Sequence, residues 1–122
     1  MKDFVAIDIE TSGLDAKRDY VIKVMATKVK NREIMGKFSS FVSCPVKLPP
    51  AVVELTGISD ADLEHAPTLD VVMEQFDLFR EGLPLVAYNA QFVQKFLRKV
   101  DVYTIQNASK EEIIKFTKGE IL

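Results

Sequence analysis

At 122 residues, with 48% hydrophobic and 28% charged residues, the chain has the size and composition of one ordinary soluble globular domain. No apolar stretch is long enough to cross a bilayer and no secretory signal is recognisable, which argues against a membrane protein and predicts a cytoplasmic location. The single cysteine, Cys44, excludes a disulfide framework, and the formal net charge of −2 provides no basic field that would bind nucleic acid by charge alone.

The first predicted element is a buried strand over residues 4–9, which is apolar apart from Asp8 and leads into Glu10. Because side chains alternate along a strand, Asp8 and Glu10 point to one face and the apolar residues between them point to the other. An acidic side chain in an apolar strand is costly, and two neighbouring carboxylates repel each other. The pair therefore indicates a site for a divalent cation such as Mg²⁺. The alternative is that Asp8 caps the following turn and Glu10 faces solvent.

Two further strands are predicted at residues 21–29 and 34–43, and with the first strand they form an antiparallel meander. A proline-rich loop at 44–50 then leads into a region that alternates helices with short strands. Helical segments are predicted at 51–55, 59–63, 68–80, 90–100 and 109–118, and short strands at 85–87 and 102–105. This order predicts a mixed α/β sheet flanked by helices.

The segment at residues 8–14 (DIETSGL) resembles the first motif of the DEDD 3′–5′ exonucleases, the family of the polymerase III epsilon-type proofreading subunit. Similar segments follow in the family's order. Residues 53–58 (VELTGI) resemble its loop segment, Ala66-Pro67 precedes a helix as in the family, and residues 85–92 (LVAYNAQF) resemble the start of its second motif. The resemblance extends from about Phe4 to Leu97, which is most of the chain.

The resemblance implies a ribonuclease-H-like fold, with a three-strand antiparallel meander plus parallel strands. It implies a single exonuclease-like domain at 1–122, incomplete at its C-terminal end. The implied activity is hydrolysis of the 3′-terminal phosphodiester of DNA or RNA, with Mg²⁺ or Mn²⁺ as cofactor and two ions held by four carboxylates. The implied partners are the 3′ end of a single strand and a polymerase subunit.

By the same resemblance, Asp8 and Glu10 are the catalytic and metal-binding residues. Thr11 and Leu14 match positions that line the 3′-terminal nucleotide in the family. Asn89 and Phe92, from the second motif, are assigned to nucleic-acid binding as well.

Two departures from the family pattern predict impaired activity. Val93 stands where the family has its third carboxylate, and no convincing third motif follows. His65 lies before the second motif, so it is expected to be an ordinary surface residue. Lys23 stands where the family often has an acidic residue, and the Lys23 side chain is expected to point to solvent. We therefore expect one weakly bound ion and little turnover. The alternatives are an inactive pseudo-exonuclease that binds nucleic acid or a polymerase partner, and a degenerate copy without a role.

Overall fold

The computed structural model describes residues 3–100 and 102–104, and within these residues five strands form one sheet in the order β3-β2-β1-β4-β5. The strands are β1 (Phe4–Thr11), β2 (Val21–Lys30), β3 (Glu33–Phe41), β4 (Leu85–Ala87) and β5 (Val102–Thr104). The helices are α1 (Pro50–Thr56), α2 (Asp60–Leu63), α3 (Leu69–Arg80) and α4 (Ala90–Phe96). The mixed α/β architecture expected from the sequence is confirmed, and β1 is its central strand.

The antiparallel meander of β1, β2 and β3 is confirmed in its pairing. Phe4 on β1 pairs with Val29 on β2, and Ala26 on β2 pairs with Phe38 on β3. The sequence lacks the Asn-Gly pair of a tight hairpin, yet Asn31 and Arg32 both adopt positive φ, at 51° and 66°. Positive φ at both central residues is the geometry that matches the twist of the flanking strands. The hairpin therefore closes tightly without glycine.

The parallel part of the sheet begins where β4 pairs with β1. Val5 lies beside Leu85 and Ala6 beside Val86, and β5 continues in parallel beyond β4. A parallel pair needs a long crossover, which α1, α2 and α3 supply between β3 and β4. The carboxyl ends of β1 and β4 consequently meet at the same edge of the sheet.

The main core lies on one face of the sheet. Val5, Ile7 and Ile9 of β1 belong to the same buried cluster as residues from α3 and α4. Phe76 of α3 is 1% exposed and packs edge-on against Phe38, with ring centroids 5.6 Å apart. Burying a side chain of this size contributes about 1.5–3 kcal/mol. On the opposite face, the buried residues form a second cluster of Phe4, Ala6, Val29 and Val86.

Helix α4 is shorter than the predicted helix at 90–100, because the chain leaves the helix after Phe96. The Gln94 side chain explains the early end: its amide nitrogen donates to the carbonyls of Leu97 and Val100, and its oxygen accepts from the backbone N–H of Val102. Side-chain hydrogen bonds thus connect α4 to β5. The predicted helix at 109–118 lies outside the described residues.

His65 lies on the surface, in the turn before α3, as expected from the sequence. In the part of the chain that the structure describes, no helix is long and apolar enough to span a membrane.

Candidate functional site

Asp8 and Glu10 lie in the last half of β1, on the face opposite the main core. The Asp8 side chain is exposed, Glu10 is half-buried, and Asp8 Oδ1 accepts a hydrogen bond from the Ile9 backbone N–H at 2.9 Å. Burial raises the pKa of the Glu10 carboxyl, and the charge of Asp8 raises it further, while Lys23 lowers it. The two carboxylates are therefore close enough to repel each other, as strand alternation predicted.

Lys23 stands directly across from Glu10 on β2, and Phe41 stands directly across from Lys23 on β3. The Lys23 Nζ lies 5.3 Å from the centroid of the Phe41 ring, within the range of a cation–π contact. Lys23 is half-buried. The expectation that it points to solvent is therefore wrong, because its side chain packs over the Phe41 ring of the neighbouring strand.

The loop after β1 is shaped by Ser12 and Asp19. Ser12 is 5% exposed; its backbone N–H donates to the carbonyl of Tyr20 at 2.8 Å, and its hydroxyl accepts from the Tyr20 N–H at 2.9 Å. The Asp19 carboxylate accepts from the backbone N–H of Asp15 at 2.9 Å. A Cβ on Gly13 would lie 2.4 Å from this carboxylate, so any side chain there would displace Asp19 from its present position. The roles of Ser12 and Asp19 in shaping this loop were not recognised from the sequence.

Thr11 ends β1, and Leu14 lies in the loop that follows it. The Thr11 hydroxyl donates to the carbonyl of Gly13 at 2.6 Å, which fixes the first turn of the loop. The Leu14 side chain is 86% exposed. An apolar side chain held out into solvent by a braced loop suits contact with a ligand, so the assignment of both residues to nucleic-acid binding stays a prediction with a compatible geometry.

Asn89 and Phe92 come to the same edge of the sheet through β4. Asn89 is exposed at the start of α4, and its side chain makes no capping hydrogen bond. Phe92 is half-buried, packs against the main core and lies 5.1 Å from the Phe96 ring, centroid to centroid. Asn89 thus presents its amide towards solvent, whereas Phe92 has a packing role as well.

Val93 is 2% exposed and belongs to the main buried cluster, together with Ile7 and Ile9. The alternation of β1 sends Asp8 and Glu10 to the other face. At position 93 the chain therefore has a core side chain, where the resemblance requires a carboxylate.

Asp8 and Glu10 form a donor set that fits a hard divalent ion. Two carboxylates on one strand face offer the oxygen ligands that Mg²⁺ or Mn²⁺ accepts, with water completing the coordination. No group of three or more histidine, cysteine, aspartate or glutamate side chains suited to a metal occurs in residues 3–100 and 102–104.

The exonuclease family model described as RNase_T matches residues 5–119. The PolC-type DNA polymerase III of Bacillus cereus is 42% identical over 94 residues, 77% of this chain, and that of Caldanaerobacter subterraneus is 36% identical over 96 residues, 79% of this chain. The chain spans about 7% of the length of each of these two polymerases.

Solved structures support the fold. An Escherichia coli exonuclease I complex with single-stranded DNA matches with a TM-score of 0.68 at 16% identity, covering 80% of this chain and 23% of that one. Exonuclease X in complex with 5′ overhanging duplex DNA matches with a TM-score of 0.67 at 20% identity, covering 82% and 55%. These likenesses confirm the ribonuclease-H-like fold. The family is one of divalent-metal-dependent exonucleases, and since its model spans nearly the whole sequence, the chain belongs to the RNase_T exonuclease family.

Proposed function

We propose that this chain is a proofreading-type 3′–5′ exonuclease domain that binds the 3′ end of a single strand, holds one divalent ion weakly, and hydrolyses slowly. One observation carries the proposal: Asp8 and Glu10 share a face at the end of the central strand, while Val93 is buried in the core. Two of the carboxylates expected from the family pattern are therefore present on one face, and position 93 does not supply a third.

Asp8 and Glu10 would hold the ion, and Mg²⁺ or Mn²⁺ suits their oxygen ligands. When bound, such an ion supplies the positive charge that lets a phosphate approach two carboxylates and that activates water. Half-burial raises the pKa of Glu10, so the folded protein holds this carboxylate in an unfavourable state that a cation would relieve. In this proposal the two carboxylates are the ligands of the ion and fix its position at the end of β1.

Four residues are expected to contact a terminal nucleotide in this proposal. Leu14 would pack against the base or sugar, because its side chain is almost fully exposed on a braced loop. Thr11 and Asn89 offer polar groups at the same sheet edge, and Phe92 supports this edge from the core side.

Slow turnover follows from the residue at position 93. A two-metal arrangement holds its ions roughly 3.5–4 Å apart with several carboxylates, and a valine side chain supplies no ligand. Losing charge stabilisation in a transition state costs several kcal/mol, and each 1.4 kcal/mol is about a tenfold loss in rate.

A polymerase partner and a role in DNA replication belong to the same proposal, because the similar proteins are PolC-type DNA polymerases III of bacteria. A cytoplasmic location follows from that setting. The second candidate function is a pseudo-exonuclease that binds a strand end or a polymerase without cutting, and the buried Val93 favours it.

The test is single-turnover degradation of a 3′-labelled single-stranded DNA in Mn²⁺, combined with fluorescence anisotropy of the same oligonucleotide. We expect slow cleavage that Asp8→Asn abolishes, whereas the exposed α3 residue Asp77, changed to Asn, has no effect. Binding without any Asp8-dependent cleavage would favour the pseudo-exonuclease. Fast cleavage, or cleavage that survives Asp8→Asn, would contradict the proposal.

A further inference from the structure

Lys23 is the middle member of a row that crosses three adjacent strands. It is the direct partner of Glu10 on β1 and of Phe41 on β3. Residues directly opposite each other in an antiparallel pair project to the same face, with Cβ atoms roughly 4.5–5.5 Å apart. The Lys23 side chain is therefore on the carboxylate face of the sheet.

The ammonium is held over the Phe41 ring, 5.3 Å from its centroid. Among the described residues, the lysines that form ion pairs within 4.0 Å are Lys28 and Lys30, which both contact Glu81. Lys23 has no carboxylate within 4.0 Å among residues 3–100 and 102–104, so in this part of the chain its charge is not cancelled by a dedicated partner. It acts on Glu10 through space, in the direction that favours the carboxylate.

We propose that Lys23 is a resident cation of the Asp8–Glu10 site, which occupies the electrostatic place of a second divalent ion and limits the site to one weakly held ion. The inference rests on the proposed function, in which these carboxylates bind the first ion. An ammonium on the same face neutralises part of their charge through space and repels an incoming divalent ion. Weak metal binding then has a cause besides the missing ligand at position 93.

A purely structural role makes a different prediction. If Lys23 served only to pack its stem on Phe41, changing its charge would alter the unfolding midpoint and leave metal affinity unchanged. If it neutralises the carboxylates, charge is the property that matters. Removing the charge should strengthen metal binding, and preserving it should not.

The test is a calorimetric titration with Mn²⁺ alone, without nucleic acid. We expect Lys23→Gln and Lys23→Met, the latter keeping an apolar stem over Phe41, to bind Mn²⁺ about tenfold more tightly than the wild type. Lys23→Arg retains the charge and should stay within about twofold. The matched control is Lys37→Gln, which removes the same charge from an exposed position further along β3.

Each outcome separates this inference from the proposed function. Unchanged affinity in Lys23→Gln and Lys23→Met, with binding that Asp8→Asn abolishes, would overturn the inference and leave the proposed site intact. A third outcome is that Lys23→Gln binds Mn²⁺, the wild type shows no detectable binding, and adding Asp8→Asn abolishes the binding of Lys23→Gln. This outcome would support the inference and contradict the proposal that the wild type holds an ion. No binding by any variant would overturn both. Circular dichroism establishes that each variant is folded before it is titrated.

Discussion

Replacing Val93 with aspartate introduces the residue type that the family pattern has at this position. We expect the change to lower the free energy of unfolding substantially and to raise the rate of cleavage only a little. The wild-type side chain is 2% exposed within the main core. Losing its burial costs about 1.5–3 kcal/mol, and an unsatisfied polar group in its place costs about 1–3 kcal/mol more. The sum of about 2.5–6 kcal/mol is a large share of the roughly 5–15 kcal/mol that typically stabilises a domain.

Urea denaturation followed by circular dichroism measures this cost. With a slope of about 2 kcal/mol per molar urea, the midpoint of Val93→Asp should fall by about 2 M. Val93→Asn provides the uncharged control of the same shape, and Val93→Thr keeps the volume. If the new carboxylate reaches a metal ion, Mn²⁺ at a hundred times its dissociation constant should restore about 2.7 kcal/mol, in Val93→Asp and not in Val93→Asn.

The activity of Val93→Asp should recover at most in part in the single-turnover assay, because one ligand does not supply a general base, which is worth on the order of a hundredfold to ten-thousandfold. A variant as stable as the wild type would refute the packing argument. Rapid cleavage by Val93→Asp would refute the reasoning about what the site lacks.

Three further changes test the geometry around the site. Gly13→Ala forces a Cβ against the Asp19 carboxylate, and we expect a loss of about 1–3 kcal/mol in urea denaturation, whereas an unchanged midpoint would show that the loop rearranges freely. Glu10→Gln removes a carboxyl whose pKa is raised in the folded state; it should be more stable than the wild type at pH 7, and the difference should shrink as the pH falls to the ordinary value of 4.5. Glu81→Gln tests a carboxyl whose pKa is shifted in the opposite direction. The hydrogen bond and charge of Lys28 lower the pKa of Glu81, so its stabilisation is present above pH 4.5 and is lost as the pH falls through the lowered value. Wild type and Glu81→Gln should therefore converge in acid, and a constant gap between their unfolding midpoints would contradict this account.

The meander and the placement of the carboxylates were predictable from the sequence, because strand alternation alone fixes that Asp8 and Glu10 share a face. The long-range register was not. Nothing local indicates that Lys23 lies opposite Glu10, since that pairing depends on the turn at Asn31 and Arg32. The length of α4 was missed for a related reason: the apolar spacing continues to residue 100, but the side-chain hydrogen bonds of Gln94 compete with the helix and end it.

Part of the site could not be predicted from the sequence, because it depends on tertiary contacts that a short motif does not contain. The sequence predicts a packing role for Val93 from its helical spacing, and the structure agrees. The roles of Ser12 and Asp19 had no such periodic signal, because a braced loop is built from individual hydrogen bonds.

The central position of β1 has a consequence for the order in which the site assembles. Its neighbour β2 follows it closely in the chain, whereas its other neighbour, β4, arrives only after three helices. Closing a long loop costs more entropy than closing a hairpin, so local strand pairs form first. The carboxylates and Lys23 should therefore be together in the earliest folded meander. Asn89 and Phe92 join them only when β4 docks, so the site is complete only after a long-range step of folding.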